Sequence, residues 1–226
     1  MFYTKRLMLR NLDPRCDTST WQHWLNTVST ARVFRTEGLR PTSTEDVSAT
    51  VTKVAKGGDI LPCLAICLLP SDEQTHPDKL LPSDDLFVKT DGSARYPMIG
   101  CLNLRGSPTP TVNVTNRTAS LGIFLMEAYT GKGYGPEVLE WVFWYLFDAL
   151  GLHRLEILTL ASNKPARKAY EKVGFVEEGR ARKAIFQDGV WEDVVSLAVL
   201  EEDYWARKKK KVDGDDEEIE CTYKTF

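Results

Sequence analysis

The stretch Met126–Val138, MEAYTGKGYGPEV, sets glycines at 131, 133 and 135 and then stops at Pro136. Glycine has no Cβ, takes φ > 0 readily and lets a ligand or another chain come against the main chain. That freedom costs roughly 0.5–1 kcal/mol inside regular structure. From Tyr134 the apolar period becomes helical, with Val138, Leu139, Val142, Phe143, Leu146 and Leu150 on one stripe widened by Trp141, Trp144 and Tyr145. Before it, Thr118 to Leu125 reads as a strand. The glycines therefore join a strand to a helix, with amides at the positive end of a helix dipole, an anion-binding arrangement. GKGYG is too short for a Walker loop, and its glycine spacing is not that of the dinucleotide fingerprint. Taken alone, the glycines also suit a turn that merely lets the helix pack close to the sheet.

Outward from the loop the chain reads as alternating elements. Arg6 to Leu12 alternates as a strand, and TSTWQHWLNTVS puts a capping hydroxyl before Trp21, Trp24, Leu25 and Val28 at helical spacing. PTSTEDVSATVTKVAKGG predicts a second helix, with Thr42 and Glu45 as a capping box, Val47, Val51 and Val54 on its apolar face and Gly57 as its stop. Ile60 to Leu69 and Met98 to Arg105 predict strands. The Pro-, Asp-, Ser- and Lys-rich residues 70–97 between them read as a surface insertion. Further on, Arg154 to Leu160 is a strand, and Pro165 to Val173 a short helix opened by Asn163 and Pro165 and closed by Gly174. Arg180 to Gln187 and Val190 to Val199 pair as a hairpin across Asp188 and Gly189.

At 226 residues the chain suits one domain over 1–206 with a charged tail, RKKKKVDGDDEEIECTYKTF from Arg207, expected to be disordered. The 29 basic and 32 acidic residues give a net charge of −3, so no broad nucleic-acid footprint is expected. No apolar run reaches the roughly 18 residues of a membrane span, and the first ten residues lack a signal peptide's apolar core. The expectation is a cytoplasmic protein, with the nucleus as an alternative and no membrane partner. Five cysteines, at 16, 63, 67, 101 and 221, form no CxxC pair and read as reduced thiols, with no metal expected.

The glycine loop, the strand after the long helix, ASNKPARKAYEKVGF and the DG hairpin together resemble the GNAT superfamily of acyl-CoA-dependent N-acetyltransferases, in its Rim-type branch that acetylates protein N-termini. The resemblance runs from about Ser120 to Trp205, and in element order alone from Arg6 to Arg105. It implies an α/β (α+β) fold with a central mixed, mostly antiparallel sheet of about seven strands flanked by about four helices. In that family the loop reads Q/R-x-x-G-x-G/A. TGKGYG places Gly133 and Gly135 in the glycine positions and Thr130 where Gln or Arg is usual. The resemblance implies acetyl-CoA as co-substrate, its pyrophosphate on the amides of Gly131, Lys132, Gly133, Tyr134 and Gly135. It further implies a splayed strand at Phe124, Leu125 and Met126 that leaves amides for the pantetheine and the thioester oxygen. Asn163 falls where the family contacts the cofactor and Tyr170 where it places a tyrosine near the CoA sulfur. Asn163 as a helix cap and Tyr170 as a core aromatic are the plain alternatives.

Amide formation needs a neutral amine, a site for the oxyanion and a proton for the departing thiolate. Many relatives carry a glutamate in ExG on the strand before the loop; here the triplet is SLG, with Ser120 in the base position. Glu127 and Glu37 are candidate bases, as is Asp193, while His153 reads as structural. A water relay or an amine deprotonated in solution needs no dedicated residue. The acceptor is expected to be a primary amine, small molecule or peptide N-terminus, and the protein a monomer or homodimer. Trp21, Trp24, Phe34 and Tyr96 either line an apolar pocket or belong to the core. The competing reading is a CoA-binding sensor or interaction protein with weakened catalysis, suggested by Ser120 and Thr130.

Overall fold

The computed structural model describes residues 1–27, 41–56, 61–69, 96–105, 114–187 and 189–213. Strands β1 (Phe2–Tyr3) and β2 (Leu7–Asn11) come first, followed by helices α1 (Pro14–Asn26) and α2 (Thr44–Lys56). Then come β3 (Leu61–Leu68), β4 (Met98–Arg105) and β5 (Thr118–Leu125), and the glycine loop leads into α3 (Tyr134–Phe143). The chain closes with β6 (Arg154–Leu160), α4 (Lys164–Val173), the hairpin β7 (Val176–Gln187) and β8 (Val190–Leu200), and α5 (Glu201–Asp213). The sheet has eight strands in the order β1-β2-β3-β4-β5-β6-β8-β7. Among its pairings β5–β6 is parallel, and α3 provides the crossover that a parallel pair requires.

Two compact units divide the chain. One takes in the described residues from Met1 to Asn103 with Ile123–Gly131; the other holds Leu104–Gly122 and the described residues from Lys132 on. In the first unit Trp21, Trp24, Val47 and Val51 from α1 and α2 pack with Cys63, Cys67, Cys101 and Phe124 of the strands. The Trp24 ring lies 5.1 Å from that of Phe124. Trp21, Trp24 and Tyr96 are thus core residues, and Phe34 lies outside the described residues. Under α1, Arg10 donates from both Nη atoms to Asp17, each at 2.7 Å, with both side chains almost wholly buried. Burial opposes the charge on Arg10, but hydrogen bonds to Asp17 hold its pKa above the ordinary value. Gly100 on β4 is required: a Cβ there would overlap the carbonyl oxygen of Phe124 on β5.

In the second unit the apolar stripe of α3 is buried at Val138, Leu139, Trp141, Val142 and Phe143. Phe143 meets Phe175 at 5.5 Å, and Phe147 stacks on Tyr204 of α5 at 5.2 Å. Beyond Phe143 the helix widens into a π-turn over Trp144–Ala149, and Leu150, expected on the stripe, is exposed. Among the described residues Cys16, Cys63, Cys67 and Cys101 are free and buried, in line with reduced thiols; Cys221 lies outside them.

Three local readings change. The first helix starts at Pro14, capped by the Asp13 side chain on the Arg15 amide, so Asp-Pro was the start signal and the later hydroxyls lie inside the helix. The box on the second helix is Ser43 with Asp46, one residue after the expected Thr42 and Glu45: the Asp46 amide donates to Ser43 Oγ at 3.1 Å. Thr42 instead exchanges two hydrogen bonds with the Asn26 side chain. The stretch from Arg207, expected to be disordered, is helical as far as Asp213 because its first residues are held. Arg207 donates to Glu140 at 3.0 Å and to the Val173 carbonyl, and lies over the Phe143 ring; Lys208 donates to Asp148 at 2.8 Å. Residues 70–95 of the expected insertion, and the tail after 213, lie outside the described residues.

Candidate active site

The site builds from the end of β5. Register pairs Thr118–Arg154, Ala119–Leu155, Ser120–Glu156 and Leu121–Ile157 tie β5 to β6, and there the pairing ends, although β5 runs on to Leu125 and β6 to Leu160. This is the end of β5 at which a splay is expected. The end of pairing does not free every amide beyond it, since Met126 donates its amide to the Ile99 carbonyl at 2.9 Å. Phe124 is buried among core residues, so a ligand would meet its main chain alone.

After β5 a single turn, Glu127–Tyr129, is closed by Thr130, whose amide and hydroxyl both donate to the Glu127 carbonyl, at 3.1 and 2.9 Å. Gly131 and Gly133 then take φ of 72° and 84°, the left-handed region that disfavours a Cβ. Gly133 is the N-cap of α3, its carbonyl accepting the Glu137 amide at 3.2 Å. Gly135 and Pro136 sit in the first turn, where helix geometry leaves amides without an intrahelical acceptor; proline has none to leave. Residues 130–133 are exposed, and nothing lies within 4 Å of a Cβ built on Gly131. The loop thus offers an open, positively polarised backbone with Lys132 on it.

On α4, Asn163 is the cap: its side chain accepts the Ala166 amide at 3.3 Å. Among the described residues nothing accepts from its side-chain NH2. Tyr170 is buried, its ring 5.7 Å from Phe175, and burial pushes its phenol up to about 12. Among the described residues no group hydrogen-bonds its hydroxyl.

The proposed bases fare differently. Glu127 is exposed on the turn. Asp193 is committed to the β7–β8 hairpin, accepting the Lys183 amide at 2.9 Å with Arg180 at 3.7 Å. His153 is structural as expected: its Nδ1 lies 3.0 Å from Glu201, whose other oxygen takes Arg117 at 2.9 Å. The His153 hydrogen bond and Arg117 hold Glu201 below the usual carboxylate range. Glu202 brings a third donor atom to this junction, where Arg117 already competes for Glu201. Glu37 lies outside the described residues. One carboxylate that the sequence reading passed over, Glu156, stands directly beside Ser120 on the adjoining strand; the only signal for it was the alternation of RLEIL.

The second half of the chain thus carries a parallel strand pair whose register ends before the strands do, a left-handed glycine capping the next helix, and an Asn-capped α4 bearing a buried tyrosine. The family described as "Acetyltransferase (GNAT) domain" matches residues 6–176, and the chain belongs to it. The probable N-acetyltransferase YjcK of Bacillus subtilis is 42% identical over 87 residues, 38% of this chain and 48% of that protein. The putative ribosomal N-acetyltransferase YdaF of the same organism is 30% identical over 93 residues, 41% of this chain and 51% of its own. The chain thus spans about half the length of these curated relatives. A Vibrio cholerae spermidine N-acetyltransferase, solved with CoA and spermine, shares the fold with a TM-score of 0.65 at 21% identity, covering 88% of this chain and 98% of that one.

Proposed function

We propose that the protein transfers the acetyl group of acetyl-CoA to a primary amine by direct attack in a ternary complex. The observation that carries this reading is the loop: left-handed Gly131 and Gly133, the second of them the N-cap of α3, follow a strand whose parallel pairing has ended. The amides of residues 131–135 would hold the pyrophosphate, Lys132 would add charge, and the Asn163 NH2 would reach the cofactor while its oxygen caps α4. Tyr170, buried with an unclaimed hydroxyl, would give its proton to the departing thiolate. Support for a small-molecule acceptor comes from relatives such as the spermidine N(1)-acetyltransferase of Vibrio cholerae, 30% identical over 98 residues. The test is thiol release from acetyl-CoA across polyamines, aromatic amines and peptide N-termini. Turnover with one class identifies the acceptor. Binding of acetyl-CoA without release across the panel points instead to a CoA-binding sensor.

A further inference from the structure

Resting on the acetyl-transfer reading, we infer that Glu156 of β6 is the base that deprotonates the acceptor amine, replacing the carboxylate missing at Ser120. The register puts Ser120 and Glu156 side by side. Residues in register on neighbouring strands carry their side chains on the same sheet face, and adjacent strands lie roughly 4.7–4.9 Å apart. A Glu156 carboxylate therefore reaches the space that a glutamate at 120 would fill. On its other side, Glu156 faces Ala198 of β8. Ser120 on one side is half-buried, whereas Ala198 on the other is 3% exposed. Adjacent residues Leu155 and Ile157 are buried on the opposite face, while Leu158, next along β6 on the face of Glu156, is 58% exposed. This face is open.

The chemistry of the carboxylate fits the role. Its side chain is 18% exposed, and among the described residues no group donates a hydrogen bond to it. Its nearest cation, Arg154 Nη2, is 3.9 Å away. Arg154 directs both Nη atoms to Glu178, which holds Glu178 below the usual carboxylate range. The Ser120–Glu156 pair also lies one residue short of Leu121–Ile157, where the strands stop pairing.

The step balances as follows. The ammonium R–NH3⁺ gives one proton to the Glu156 carboxylate, directly or through one water. The freed lone pair attacks the thioester carbon and a C–N bond forms. The C–S bond then breaks, its electron pair leaving on sulfur, which takes the Tyr170 proton; the second amine proton restores the phenol. The products are the N-acetyl amine, CoA thiol and one proton, which Glu156 returns to water.

The experiment compares wild type, Glu156→Gln, Glu156→Asp and the double variant Ser120→Glu with Glu156→Gln, using the amine that wild type turns over best. Each is assayed for thiol release from pH 6 to 9 and for the Tm rise caused by acetyl-CoA. Glu156→Gln is expected to keep the acetyl-CoA shift and lose about 10²- to 10³-fold in kcat/KM at pH 7. Its kcat/KM should climb about tenfold per pH unit where wild type is level, because only amine deprotonated in solution then reacts. Glu156→Asp should lose less and keep the level profile, and the double variant should recover to within about tenfold of wild type. A Glu156→Gln activity within about threefold of wild type overturns the assignment. So does a loss with an unchanged pH profile and no recovery in the double variant, which marks a structural role through Arg154. Acetyl-CoA binding by wild type without thiol release for any amine overturns the transfer reading and this proposal with it; the other failures leave that reading intact.

Discussion

Tyr170 shows how a single residue divides between packing and chemistry. Its ring is buried against Phe175 and burial pushes its phenol up to about 12, so below that pH it keeps its proton and can hydrogen-bond a departing CoA thiolate. Tyr170→Phe keeps the ring and removes the donor. The expected result is a kcat lower by about 10² to 10⁴ with acetyl-CoA affinity nearly unchanged, measured as kcat beside cofactor Kd. A merely packed tyrosine would lose stability and little rate. Burial also sets the alkaline limit of stability. Cys67 is raised from 9.0 to about 11, Cys16 to about 12, and Tyr170 from 10.0 to about 12. A raised folded pKa means that the native state holds the proton more tightly, so the stability is full below the unfolded value and lost above it. Tm should therefore hold to about pH 9 and fall between about 9 and 12; a Tm level to pH 11 contradicts the burial of these groups. At this scale the Asn163 cap and the left-handed Gly131 and Gly133 were legible because each sits in a local motif. Glu156 was not, since its meaning comes from its partner on another strand.

Elements were read well where one period dominates. Met98–Arg105, Thr118–Leu125 and Arg154–Leu160 have the expected bounds, whereas starts set by a single cap slipped, as with Ser43 for Thr42. Pattern also missed Gly100, which is needed because the Phe124 carbonyl of the next strand comes against it. Gly100→Ala should cost about 1–3 kcal/mol or more, since backbone rather than a flexible side chain is in the way; chemical denaturation measures it. The helical start of the charged tail was missed for a related reason: composition counts KKKK as solvated, while α5 uses its first cations on Glu140, Asp148 and the Val173 carbonyl. Truncation after Asp213 should leave stability and kcat/KM within about threefold. Arg207→Ala, by contrast, should cost about 1.5–3 kcal/mol, the range for hydrogen bonds to a charged group, with little change in acetyl-CoA Kd.

For the molecule as a whole, the order of elements was legible because GNAT folding rests on hydrophobic period and a glycine loop, both local. Among the described residues an eighth strand, the two-residue β1, is too short for any period to mark, and a fifth helix appears where charge suggested disorder. Function at this scale reduces to whether the native state alone binds acetyl-CoA. A ligand held by loop amides that take up their positions only when Gly131 and Gly133 adopt φ of 72° and 84° has no affinity for the unfolded chain. It then stabilises by RT ln(1 + [L]/Kd), about 2.7 kcal/mol at a hundredfold excess over Kd, and raises Tm in step with log concentration. Valine at Gly133 would be forced toward a left-handed conformation that a β-branched residue strongly resists, and valine at Gly135 would crowd the face where the pyrophosphate approaches. The double variant Gly133→Val with Gly135→Val, under conditions where circular dichroism shows it folded, should therefore show no acetyl-CoA shift. Desulfo-CoA, which keeps the pyrophosphate and lacks the thiol, should shift the wild type nearly as far as CoA does. If the folded double variant retained the full shift, the pyrophosphate would have to bind away from this loop.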